Sequence, residues 1–159
     1  MAMRRSLPPI TCRVSDTLIA RGHHGLIVTV PESAAGPAET AHAMDVAPGA
    51  LVQAQVFLLG DDPILLLVSA SHRVDAARTG ARLDGELVAA PPHLAVKYTG
   101  QLPGSIAPVG HPANLPTWVD STLSRFGELV AAGGYPGAVF RTSYSELLRI
   151  TAGLSLDVE

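Results

Sequence analysis

The residues best suited to chemistry are a pair of glutamines and a loop. Gln53 and Gln55 interrupt the otherwise apolar run ALVQAQVFLL at positions 50–59. In a strand, period-two alternation puts Leu51, Gln53, Gln55 and Phe57 on one face and Val52, Ala54, Val56 and Leu58 on the other. The second face is clean core. A buried amide without a partner costs on the order of 1–3 kcal/mol, so the first face is either the solvated side of an edge strand or the wall of a cleft. Spacing alone supports both. The loop is Gly104-Ser105-Ile106-Ala107-Pro108, a permissive glycine followed closely by a rigid proline. Such a segment can offer backbone N–H and C=O groups to a ligand without side-chain obstruction. An ordinary crossover loop would look the same, and on spacing alone that reading is favoured.

Other constellations are missing. The chain has no G-x-x-x-x-G-K-[ST], no H-E-x-x-H and no G-x-S-x-G, so Ser105 lacks the elbow that would present it as a nucleophile. His23 and His24 are adjacent and diverge on a strand or a helix alike, which makes them a poor metal pair and better read as exposed loop histidines. Cys12 is the only cysteine. An intramolecular disulfide and a multi-cysteine metal site are therefore excluded, and Cys12 has no defined partner as a nucleophile.

The elements that must position these residues alternate between strand and helix. GLIVTV at 25–30 reads as a strand, residues 33–37 as a loop of small residues, and TAHAMD at 40–45 as a short helix stopped by Pro48-Gly49. Strands at 50–59 and 63–70 flank Gly60-Asp61-Asp62, a hairpin signal. Short helices follow at 74–81 and 92–98 around a strand at 86–89, then a loop-rich stretch at 99–116 and strands at 117–119, 128–132 and 137–141. Ser143-Tyr-Ser-Glu146 is a capping box opening the last helix, with Gly153 ending it. Asp120 can cap the segment 121–126. A tight hairpin requires antiparallel pairing, so the expectation is an α/β (α+β) single domain with a mixed sheet.

A length of 159 residues suits one domain, with residues 1–24 as an N-terminal extension and short helix before the domain proper at 25–159. Charged residues at 16%, with 15 glycines and 13 prolines, describe a globular, loop-rich chain and exclude disorder. A net charge of −3 excludes gripping nucleic acid through a broad basic surface, so any such contact should be small. Arginines at 4 and 5 are followed by Pro8, Pro9 and Arg13, which break any signal-peptide core. No apolar run approaches the roughly 20 residues that span a bilayer. A soluble, cytoplasmic protein is expected.

Four segments then carry a resemblance: TAHAMDVAPGALVQAQVFLL, PILLLVSASHRVD, TGQLPGSIAPVGHPANLPTWVDSTL and AAGGYPGAVFRTSYSELLRITAG. In this order and spacing the chain resembles the YbaK/aminoacyl-tRNA synthetase-associated domain family over roughly residues 25–158. The anchors are His72-Arg73-Val74-Asp75, the G-x-x-x-P of Gly104 to Pro108, Val119-Asp120 and the last helix. The resemblance implies a mixed sheet curled towards a barrel with surrounding helices, and a cleft for the acylated 3′ end of tRNA. It implies hydrolysis of misacylated tRNA, typically cysteinyl- or alanyl-tRNA(Pro), without cofactor or metal. On that mapping Gly104 and Pro108 carry the catalytic loop and Arg73 contacts the acceptor end, with His111 and Asp120 near the loop. Ala131, Ala132 and Gly133 leave room for an aminoacyl group, or else pack strands closely. The family commonly has a lysine in the pattern Q-I-V-K-[ST]-L-V-F, where this chain has Gln53; Lys97, its only lysine, lies in another element. An amide at that place hydrogen-bonds but supplies no charge. The partner implied is the acceptor end of aminoacyl-tRNA, with no DNA and no membrane, and a homo-oligomer is left open. A non-catalytic homologue that binds an aminoacyl or nucleotide-like ligand in the same cleft is the alternative.

Overall fold

The structure, a computed structural model, describes residues 7–31 and 36–159. The expected small-residue loop falls outside the described residues up to position 35, as do Arg4 and Arg5. A long hairpin forms the spine. Strand β2 (Leu51–Leu59) pairs antiparallel with β3 (Asp62–Ser69) through eight rungs from Val52↔Ser69 to Leu59↔Asp62. The turn is tighter than predicted: Asp62 is already in the strand, and Gly60 takes φ +61 in the loop, which only glycine does without strain.

Around this hairpin lie β1 (Val28–Thr29), β4 (Leu87–Ala89), β5 (Thr117–Asp120), β6 (Leu129–Ala132), β7 (Ala138–Thr142) and β8 (Leu154–Leu156). The order is β1-β7-β6-β2-β3-β5-β8, with β4 also on β2. Pairs β2–β6, β3–β5 and β5–β8 are parallel and the rest antiparallel, so the sheet is mixed, as expected. Strand β3 is central and its run Ile64–Val68 is buried on both faces, which is why it reads as continuous apolar sequence without alternation.

The largest core cluster joins Val52, Val56, Leu65 and Leu67 to Val14 and Leu18 of helix α1 (Pro9–Ala20) and to Leu147 and Ile150 of the last helix. Thus α1 and the sheet share one core. Phe57, Ile64, Leu66 and Leu87 build a second cluster. Helix α2 (Pro37–Ala43) begins at Pro37, earlier than the predicted start at 40, because proline fits the first helical turn. Helices α3 (Ala76–Arg82) and α4 (Pro92–Thr99) match their predicted positions.

Three expectations need correction. Of the two histidines expected to be exposed, His24 is, but His23 is 4% exposed, with its Nε2 2.9 Å from the Arg141 carbonyl. The strand predicted at 25–30 is reduced to Val28–Thr29, because Gly25 turns at φ +72 and donates its N–H to His23 Nδ1 at 2.8 Å. The last helix, α5 (Tyr144–Thr151), is capped by Ser143 as predicted, but its left-handed residue is Ala152 at φ 52. Gly153 follows it, and a Cβ there would crowd Thr151 Oγ1 at 2.8 Å and the Thr117 carbonyl at 3.2 Å.

Asp120 joins several of these elements and is 1% exposed. Its Oδ1 accepts the Thr122 N–H at 3.0 Å, capping the 3-10 turn Ser121–Arg125, and its Oδ2 accepts the Ser69 N–H at 3.1 Å. His72 Nδ1 lies 3.0 Å from the same Oδ2, off the line of a hydrogen bond. Asp120→Ala would orphan the buried Ser69 N–H and the half-buried Thr122 N–H and is expected to cost about 3 kcal/mol. Urea unfolding reads this directly, and a loss below about 1 kcal/mol would show the carboxylate to be dispensable.

Candidate active site

The site forms where β2 loses a partner. Along one edge β2 is bonded to β3 throughout. Along the other it pairs with β6 only at Leu51↔Val130 and Val52↔Ala131, and with β4 only from Phe57↔Ala89 to Leu59↔Leu87. The stretch between opens onto a cavity of about 390 Å³. Gln53, Ala54 and Gln55 line it, and both glutamines are half-buried there. Of the two readings open for this face, the structure gives the wall of a cleft.

The opposite wall is the predicted loop. Helix α4 ends at Gly100, and the chain then makes a turn at Leu102-Pro103-Gly104-Ser105, closed by the Ser105 N–H donating to the Leu102 carbonyl at 3.0 Å. Proline second and glycine third, with Gly104 at φ +89, is the signature of a type II turn. A Cβ on Gly104 would meet nothing within 4 Å, so the backbone angle and not space demands glycine. Gly104, Ser105 and Ile106 line the cavity. Pro108 does not; it borders a second, smaller pocket of about 220 Å³ with Arg21 and Asn114.

Buried groups hold the loop from behind. Gln101, which the sequence reading passed over, is 2% exposed and its Oε1 accepts the Ala107 N–H at 2.6 Å. Thr99 Oγ1 accepts the Gln101 N–H at 3.1 Å. His111 contacts the Ala107 carbonyl through Nε2 at 2.8 Å. Burial pushes the His111 imidazole below its ordinary pKa, outweighing the carbonyl that favours the charged form, and Arg21 pushes the same way. A neutral ring donating Nε2–H to Ala107 fits both facts. His111 therefore braces the loop and stands outside the cavity lining.

The third wall comes from β6 and the turn into β7. Ala131 is buried in the core, Ala132 faces the cavity, and Gly133 is packed: a Cβ there would meet Ile27 Cγ2 at 3.0 Å and Ala138 Cβ at 3.3 Å. The two readings of this small-residue run thus divide by position. Tyr135, also passed over in the sequence, lines the cavity and is 49% exposed. Arg73 is exposed and Asp120 is enclosed by its partners; neither lines the cavity. Three of the eight singled-out residues, Gln53, Gly104 and Ala132, therefore meet at one place.

Among the described residues, none that lines the cavity carries a formal charge. Among the described lining residues Ser105 has no histidine or carboxylate beside it, and Cys12 lies on α1, outside the lining. What the cavity presents is amides, hydroxyls and fixed backbone dipoles, a set able to orient a neutral group and to stabilise a developing oxyanion.

Three comparisons bear on this geometry. A solved structure assigned as a trans-editing enzyme for prolyl-tRNA synthetase is 35% identical, with a TM-score of 0.91, covering 97% of this chain and 99% of that one. A scaffold protein from computational epitope grafting is 31% identical, with a TM-score of 0.90 over 96% of this chain and 99% of that chain. The proline–tRNA ligase of Levilactobacillus brevis is 36% identical over 74 residues, which are 46% of this chain and 13% of the ligase. The chain thus aligns with only a small part of that enzyme. Residues 31–150 match the aminoacyl-tRNA editing domain, and with a match over that span the chain belongs to the aminoacyl-tRNA editing domain family.

Proposed function

We propose that this protein is a deacylase that hydrolyses the ester between a wrong amino acid and its tRNA, with cysteinyl- and alanyl-tRNA(Pro) as substrates. The observation that carries this reading is the convergence of Gln53, Gly104 and Ala132, from three separate segments, on one cavity, uncharged among its described lining residues, in an editing-family fold. Water adds to the ester carbonyl, the tetrahedral oxyanion collapses, and the ribose hydroxyl leaves with a proton. The Gly104 turn, with its backbone groups free of a side chain, supports the oxyanion or orients the attacking group. Ala132 sets the room for the acyl side chain. Gln53 hydrogen-bonds the ester or the terminal phosphate, and exposed Arg73 suits a phosphate further along the acceptor end.

Tyr135 adds what the sequence reading lacked. A half-exposed aromatic ring at the cavity suits stacking on the terminal base of the acceptor end, where base–aromatic contacts contribute about 1–3 kcal/mol. A second reading, a binding module without turnover, draws on Gln53 standing where the family commonly has lysine.

The test is a deacylation panel of the purified protein on misacylated tRNAs, with free aminoacyl esters beside them. Hydrolysis of alanyl- or cysteinyl-tRNA(Pro) above background is expected; tight binding without hydrolysis would favour the module. Gln53→Lys is expected to raise kcat/KM about five- to thirty-fold, since an ammonium here gives a charge-assisted bond. A folded variant no faster than the parent would count against the role given to position 53. Tyr135→Ala should raise KM for the tRNA about tenfold and leave the free ester unaffected, while Tyr135→Trp restores it. Equal loss on both substrates would remove the stacking role.

A further inference from the structure

In a parallel pair the bonding groups of one strand reach two residues flanking its neighbour. The Leu51 carbonyl accepts the Ala70 N–H on the β3 side. By alternation the odd residues of β2 serve β3, and Val52, Ala54 and Val56 point their backbone groups the other way. Val56 confirms this, because its carbonyl accepts the Ala90 N–H at 3.0 Å beside β4. Val52 is bridged to Ala131. The next rung would bring the Ala54 N–H onto the Ala132 carbonyl, but the β2–β6 ladder stops before it. Ala54 and Ala132 both line the cavity.

We infer that this open rung is the seat of the aminoacyl group itself: the Ala54 N–H donates to the acyl carbonyl, and the Ala132 and Ala54 carbonyls accept the α-ammonium. The inference rests on the deacylase reading and specifies how its substrate is held. Two observations commit the seat to this chemistry. Among the described residues the lining holds no carboxylate to receive an ammonium, whereas backbone carbonyls at the split are acceptors placed to meet an α-amino group. A donor and acceptors side by side on diverging strands also match the carbonyl and amine of an α-amino acyl group, which a simple alcohol or phosphate does not. Because the seat is backbone, it holds any α-amino acyl group alike and leaves side-chain selection to the surrounding walls.

Amide hydrogen exchange followed by NMR tests this on the whole chain. In the free protein Gln53 and Gln55, bonded to β3, should be protected, and Ala54 between them should exchange about a hundredfold faster or more. Ala54 exchanging as slowly as its neighbours would mean a closed rung and would overturn the proposal. The probe is 3′-alanylamino-3′-deoxyadenosine, an amide in place of the scissile ester. At saturation the Ala54 N–H should slow at least about tenfold and move downfield. The lactyl analogue, which has a hydroxyl for the ammonium, should bind about tenfold more weakly. If Gly104 and Ser105 respond to the probe while Ala54 does not, the seat is wrong and the cavity remains the binding site. If Ala54 responds in a protein that deacylates nothing, the seat stands and the enzymatic reading falls. Silence of every cavity amide at millimolar probe overturns both.

Discussion

The site depends on one constraint: a strand has two hydrogen-bonding edges, and β2 can be fully paired on one while changing partners on the other. Its rungs to β3 keep β2 straight and rigid through the whole hairpin. That frees the opposite edge to take a parallel neighbour at its start, an antiparallel one at its end, and neither between. In an isolated sheet such a gap would be a defect. Here the surrounding core, with Val52 and Val56 buried on one face and Leu51 and Phe57 on the other, fixes β2 on both sides of the gap. The polar residues Gln53 and Gln55 can then occupy the middle of an apolar strand without facing a sealed interior.

The loop across the cavity is held by a different device. Its cavity-facing turn has no side-chain contacts at Gly104, and its following residues, Ile106 and Ala107, are anchored in the core. Between the two, Gln101 is buried so that one amide oxygen can hold the Ala107 N–H, while its Nε2 finds no partner among the described residues and lies against Gly134. An unpaired buried donor costs on the order of 1–3 kcal/mol. The return is a fixed backbone at a place where regular structure cannot supply one, and Gln101 also ties that loop to the turn that carries Tyr135. Fixed dipoles are what electrostatic stabilisation requires, since they need no reorganisation as charge develops.

Much of this was legible in the sequence where local chemistry dictates local shape. The hairpin announced itself through Gly60-Asp61, the last helix through Ser143, the loop through glycine and proline, and Asp120 as a cap through the segment after it. The family resemblance suggested a shared role for positions 53 and 104, which spacing could not, and the small side chain at 132 suggested room beside them. What was not legible came from long-range packing. Nothing in the composition of QLPG marks Gln101 as buried, because its burial is set by α1 and the β6–β7 turn arriving from distant sequence. Tyr135 between two glycines reads as an ordinary turn residue until the turn is seen beside the cavity. Gly133 and Ala132 are neighbours of similar size whose opposite fates follow from alternation at a strand end, and at the end of the last helix Ala152 takes the left-handed angle while Gly153 packs closely against β5.

The chain is acidic overall and a tRNA end is a polyanion, so net charge does not draw the two together and recognition depends on local contacts. The cavity follows the same logic: with no formal charge among its described lining residues, a phosphate gains at most a neutral hydrogen bond there, whereas an acyl group and a base face suit it. Gln53 carries this one step further, because a neutral amide brings no charge that would tie the cavity to a phosphate. On the deacylase reading, discrimination then depends on the shape of the cavity and the geometry of backbone donors and acceptors. That places the division between substrates in the uncharged part of the molecule, where a correct and an incorrect aminoacyl-tRNA actually differ.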